Sequence, residues 1–182
     1  LYFLLLAALM SILVLIRHTR ADEQTERAEL LRSSVVGRHA TLTAAVLIAV
    51  GASLASAATV VAVLLAVGGY AVEGSLLFGI GIAVTGIAFA GVAAVTAQLS
   101  EFSRAASGLA GMVLGAAFVV RAGGDLAAVG GSALSWFSPL AWAQQTAPFV
   151  LNRWWPLFLP LVLAVATFAV GFALSAFRDF GA

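Results

Sequence analysis

Five long apolar stretches, joined by short polar links whose arginines fall mostly on alternate links, constrain this chain more than any other feature. The stretches run over residues 1–16, 41–67, 75–99, 105–120 and 154–177. A bilayer core about 30 Å thick needs about 20 apolar residues per helical span, so five spans occupy over half of the 182 residues. Hydrophobic residues make up 63% of the chain and charged residues 9%, against about 25% charged in an ordinary soluble domain. A globule of this size cannot hide that much apolar surface, whereas lipid can cover it. The expected fold class is therefore an all-α, polytopic transmembrane helical bundle forming a single transmembrane domain over residues 1–182, with a cytoplasmic helix over 19–36 and an outer hairpin over 122–153.

Arginines near span ends orient a membrane protein, because cytoplasmic loops retain them during insertion. Residues 17–40 hold Arg17, Arg20, Arg27, Arg32 and Arg38, the link at 100–104 holds Arg104, and the tail holds Arg178. The alternating links hold only Arg121 and Arg153. Seven against two predicts that residues 17–40 and the C-terminus are cytoplasmic in a multi-pass cell-membrane protein. The chain opens on Leu1 and reaches its first charge at Arg17, short for a span, and no basic start or small-residue cleavage site marks a signal peptide. The expectation is a piece of a longer protein that begins inside a helix.

Composition also narrows the chemistry. With no cysteine, disulfides, thiolate metal sites and cysteine nucleophiles are excluded. All nine basic residues are arginine. A phosphate-binding GxxxxGK[ST] loop needs a lysine, so ATP would have to be handled on another chain. His18 and His39 stand apart at the two ends of a polar link, which argues against a metal centre. Ion-coupled transport usually relies on an ionisable group within the membrane; Glu73, Glu101 and Asp125 fall at the expected span ends. Nothing points to nucleic acid.

Two segments outside the spans carry information. Residues 19–36 read as a helix, with Thr19 as N-cap, Asp22 and Glu23 near the positive dipole end, and Gly37 at the C-terminal cap. Glu23 and Arg27 form an i,i+4 pair and Glu29 and Arg32 an i,i+3 pair, each adding only about 0.2–0.5 kcal/mol. Leu30, Leu31, Val35 and Val36 form an apolar end. An interfacial helix and a lever pushed by a cytoplasmic motor both fit this pattern. Residues 121–153 are too apolar for a solvated loop and too interrupted by glycine and proline for a straight span. Trp136, Trp142, Trp154 and Trp155 lie within or beside this link, as in an aromatic belt or a re-entrant element at the outer interface. Within the spans, Gly111 with Gly115 and Gly51 with Ala55 have the spacing of close helix packing. Phe78, Phe89, Met112, Phe118, Thr85 and Thr96 are candidate path residues whose plainer role is packing.

The stretch RHTRADEQTERAELLRSSVVGRHA over 17–40 resembles the region after the second span in ATP-binding-cassette permeases of the actinobacterial polyketide-antibiotic exporter type, which are similar to type 2 exporters. So, in order, do SEFSRAASGLAGMVLGAAFVVRAGGD, LSWFSPLAWAQQTAPF, RWWPLFLPLVL and FRDFGA. The resemblance covers essentially the whole chain and implies spans two to six of one half, the N-terminal one, of a permease of about twelve spans. It further implies that the helix carrying Glu23, Glu26, Arg27, Glu29, Leu30, Leu31 and Arg32 is the coupling helix on a nucleotide-binding ATPase subunit. ATP and Mg would sit on that partner, with no cofactor on this chain. The outer hairpin would include Trp136, Pro139, Trp142, Gln144 and Gln145. The implied function is ATP-driven export of amphiphilic compounds, antibiotics among them, by alternating access, without catalysis by the permease itself. Its partners would be the ATPase, the remainder of the permease or a second half, the lipid bilayer and the substrate. An ion-coupled secondary transporter and a non-transporting membrane assembly subunit are the alternatives.

Overall fold

In lipid no water satisfies the backbone, so every spanning segment closes its hydrogen bonds within a helix. The computed structural model describes residues 1–21, 39–128 and 131–178 and contains, among them, helices and turns but no strand. Helix α1 covers Tyr2–Ile16, α2 Ala40–Ala66, α3 Val72–Leu99, α4 Ser103–Ala127, α5 Pro139–Gln144 and α6 Phe158–Arg178. All except α5 are long and apolar enough to cross a membrane, α1 and α6 together with the helical turns beside them. The protein is an all-α polytopic bundle.

The helical backbone does not stop where the first apolar stretch ends at Ile16. A wider π-helical turn continues it over Arg17–Ala21. Thr19 does not cap a new helix there: its buried hydroxyl donates back to the Leu15 carbonyl at 2.9 Å. The fourth helix also outruns its apolar core, reaching Ala127 with Arg121 and Asp125 still helical. The i,i+4 bond between those two side chains offsets the charge and lets the helix proceed past residue 120.

Helix α3 is the axis of the bundle, with α1, α2 and α6 packed around it. Its small residues explain the arrangement. A Cβ placed on Gly86 would lie 2.7 Å from Ser53 Oγ and 3.0 Å from Ser11 Oγ, and one on Gly91 would lie 2.0 Å from Thr167 Oγ1. Only glycine lets the three neighbours come this close, and van der Waals packing is what holds helices together in lipid. Ser11 and Ser53 meet at 3.0 Å beside Gly86. Ser53 uses its single hydroxyl hydrogen on the Ala49 carbonyl, so Ser11 is the donor of the pair.

The glycines singled out by spacing behave differently. A Cβ on Gly51, Gly108, Gly111 or Gly115 would meet nothing within 4 Å. These motifs lie on uncovered faces of α2 and α4 among the described residues, so they do not pack within this segment. Spacing shows that a face is smooth, not which face turns inward.

Candidate functional site

One end of the bundle gathers Leu1, the link after α2, the start of α3, the end of α4 and the segment between α4 and α6. Leu1, Phe3, Leu4 and Phe78 share a cavity of about 210 Å³ with Ala143, Gln144 and Pro148. Tyr70 packs against Phe149 at 5.3 Å between ring centroids. The opposite end carries Arg17, the link at 100–102 with Glu101 and Phe102 exposed, and a bond of 2.9 Å between His39 Nδ1 and Ser175 Oγ.

The segment between α4 and α6 folds back onto the bundle. Ser132 caps a short 3-10 turn, Ala133–Phe137, in a reciprocal capping box with Ser135. Pro139 then opens α5 at a position where its missing N–H costs nothing. Ser135, Ser138, Leu140 and Thr146 are fully buried. Each of the three polar ones finds a partner, as buried hydroxyls require: Ser138 Oγ donates to the Ala117 carbonyl at 2.6 Å and Thr146 Oγ1 to Ala143 at 2.6 Å.

Arg121 is the centre of this packing and was not among the residues expected from sequence. Its side chain is almost wholly buried. Nε donates to Gln144 Oε1, while Nη1 donates to Asp125 Oδ1 and, at 3.3 Å, to Ser135 Oγ. A guanidinium taken out of water needs this complement of acceptors, because an unpaired buried charge is strongly destabilising. The 121/125 spacing was legible in the sequence, but Ser135 and Gln144 reach Arg121 only through the chain reversal.

The sequence-predicted hairpin residues converge here. The Trp136 and Trp155 rings stack at 5.1 Å and 10°, and Trp142 Nε1 donates to the Trp136 carbonyl at 2.7 Å. Gln145 lies beside Gly131, whose added Cβ would sit 3.0 Å from Gln145 Nε2. On the far side of the segment, Glu73 accepts from Trp154 Nε1 at 3.3 Å and from Asn152 Nδ2 at 3.4 Å. These bonds are exposed. Phe149 fills the notch left by Gly74, where a Cβ would lie 2.3 Å from its ring.

The other candidates divide. Phe89, Thr85 and Thr96 are buried, with Thr85 donating to the Gly81 carbonyl at 2.8 Å. Phe78 is half-buried and meets Phe3 edge to face at 5.8 Å. Met112 and Phe118 are exposed on α4. Glu23, Glu26, Arg27, Glu29, Leu30, Leu31 and Arg32 lie outside the described residues.

No family model matches the sequence. Over 177 residues, 97% of its length, the chain is 47% identical to the multidrug efflux system permease protein Rv1217c of Mycobacterium tuberculosis. The chain spans about a third of that relative, 32% of its length. With five membrane-length helices among the described residues, and a similarity that runs over nearly all of its own length, the chain is a multi-pass membrane protein similar to part of an efflux-system permease.

Proposed function

We propose that this chain is part of one membrane half of an ATP-driven exporter of amphiphilic compounds. The observation that carries the reading is the 47% identity to a multidrug efflux permease across 97% of the chain. These 182 residues have no lysine, and hence no lysine-bearing phosphate loop, so in this reading ATP and Mg are held outside them, on a partner ATPase subunit. The finer assignment, to the polyketide-antibiotic exporter type of ATP-binding-cassette permease, rests on the resemblance of the 17–40 and 100–125 stretches and of the three later ones, LSWFSPLAWAQQTAPF, RWWPLFLPLVL and FRDFGA.

In this reading the arginine-rich link at 17–40 is cytoplasmic, as the positive-inside bias favours. Its helix, with Glu23, Glu26, Arg27, Glu29, Leu30, Leu31 and Arg32, seats on the ATPase. The folded-back segment then lies at the outer interface, where its four tryptophans suit the headgroup zone. ATP binding closes the partner ATPase, and the bundle moves between inward and outward states to the extent that the partner engages them with different free energies. The remainder of the permease supplies the other wall of the path, and apolar cargo needs a mostly apolar lining with few polar anchors.

The test uses the full-length permease with its ATPase in proteoliposomes. Reversing charge at Glu26 and Glu29 should uncouple ATP hydrolysis from efflux while insertion stays intact. Efflux driven by a proton gradient with no ATPase present would overturn the reading.

A further inference from the structure

Helices α2 and α3 touch where Val61 seats on Gly79, whose added Cβ would lie 2.3 Å from Val61 Cγ2. Beside that contact runs an apolar groove of about 450 Å³, with the buried Ala57 and Ala83 in its floor and the exposed Leu54, Leu65 and Leu76 on its rim. The methyl groups of the floor are too short to fill the space between the leucines. Unfilled, such a wall forfeits its dispersion contacts.

The length of the groove limits what can lie in it. On α2 it runs from Leu65, next to the link before α3, down to Leu54, about 16 Å along the axis at 1.5 Å per residue. One leaflet is half of a hydrocarbon core about 30 Å thick, so the groove is one leaflet deep. At its deep end α1 closes onto α2 and α3 through Ser11, Ser53 and Gly86. A spanning helix needs a stripe along the whole core. An acyl chain needs only this much.

The mouth of the groove has a charged rim. Glu73, Leu76 and Ile80 are exposed on one face of α3, at the spacing of successive turns, so the carboxylate stands a turn above the groove. Its Oε1 accepts from Trp154 Nε1 at 3.3 Å and its Oε2 from Asn152 Nδ2 at 3.4 Å. A carboxylate has about four acceptor positions, which leaves room for a further donor. Arg153, exposed and between those two partners in sequence, brings a guanidinium to the same loop, and phosphate is a natural counter-ion for it. A negative and a positive side chain at the headgroup level match a zwitterion better than an anion.

We propose that the α2/α3 groove is a binding site for one phospholipid with an ethanolamine headgroup: an acyl chain lies between Leu54 and Leu65, and the ammonium donates to Glu73. The chain supplies the contacts that the alanines leave unmade. The ammonium supplies the selectivity, because a hydrogen bond between two charged groups is of the stronger kind. The site stands whether or not the protein exports anything.

The test uses the full-length permease in lipid nanodiscs containing a trace of phosphatidylethanolamine with a diazirine in one acyl chain. After illumination, adducts on Ala58, Ala62 and Ile80 should exceed those on Val63, which is exposed at the same depth outside the groove. Unlabelled phosphatidylethanolamine should compete them away, and phosphatidylglycerol with the same chains should do so about tenfold less well, the difference expected for a bond to a charged group. Glu73→Gln, which keeps an acceptor for Trp154 and Asn152, should erase that preference. Ala62→Phe, which fills the groove from an exposed position, should remove the groove adducts and spare those on Val63. Groove labelling no stronger than at Val63 would overturn the inference, and is what a helix from the rest of the permease lying over the groove would give. Equal competition by the two lipids, or a preference that survives Glu73→Gln, would overturn it as well.

Discussion

Arg121 and Gln144, 23 residues apart in sequence, are joined by a hydrogen bond from the guanidinium Nε to the amide Oε1 at one end of the bundle. The bond exists because α4 runs past its apolar core and the chain then reverses onto it, bringing α5 over the buried arginine. Asp125 completes the arrangement from the exposed side of α4. A charge that is solvated by protein in this way depends on every partner.

Asp125→Asn should therefore destabilise the protein, but moderately. Asp125 is 41% exposed on its side chain, so water replaces part of what it supplies, and the loss should be about 1–2 kcal/mol rather than the larger figure for a fully buried pair. Thermal unfolding in detergent would measure it. High salt should narrow the difference between wild type and variant, because the exposed carboxylate is the screened partner.

The Gly86 junction gives a steric prediction. Gly86→Leu forces a side chain into the space held by the Ser11 and Ser53 hydroxyls and should destabilise the bundle by about 1–3 kcal/mol, as overpacking does. Gly51→Ala, on an uncovered face, should be neutral or slightly stabilising through higher helix propensity. Equal effects from the two substitutions would contradict the packing of α1 and α2 on α3.

The tryptophan stack is open to a double-mutant cycle. Trp136→Ala and Trp155→Ala should show a coupling of about 0.5–1.5 kcal/mol, the usual worth of an aromatic pair beyond its area. Additive effects in denaturant unfolding would mean that the rings do not stack in solution.

Glu73 offers a spectroscopic check. Glu73→Gln leaves an amide oxygen to accept from Trp154 and Asn152, while Glu73→Ala removes both bonds. Both partners are at the surface, so either change should cost under about 1 kcal/mol. Only the alanine variant should shift the tryptophan emission, as the Trp154 indole exchanges a carboxylate for water.

The tryptophan-rich link shows how far sequence reasoning reaches. Its interruption by glycine and proline, its apolarity and its four indoles fit an aromatic belt or a re-entrant element, and the structure folds the segment back onto α4, with Gln144 on Arg121 and the Trp142 indole on the Trp136 carbonyl. The buried arginine under it went unpredicted, because hydropathy alone ends α4 at residue 120 and leaves Arg121 in the link. Only a bond to a carboxylate one turn away, together with two acceptors from a reversed chain, makes a helical and buried arginine tolerable.

The apolar stretches by themselves determined the five membrane-length helices found among the described residues, since a backbone in lipid has to satisfy its own hydrogen bonds and each stretch is long enough to do so. Only the tertiary structure decided which way each helix faces. Helix α3 is apolar on every side, and in a solvent as apolar as its side chains burial carries no signal in hydropathy. Shape decides instead, so the glycines that admit Ser11, Ser53 and Thr167 pack, while those at 108, 111 and 115 with the same chemistry stay uncovered.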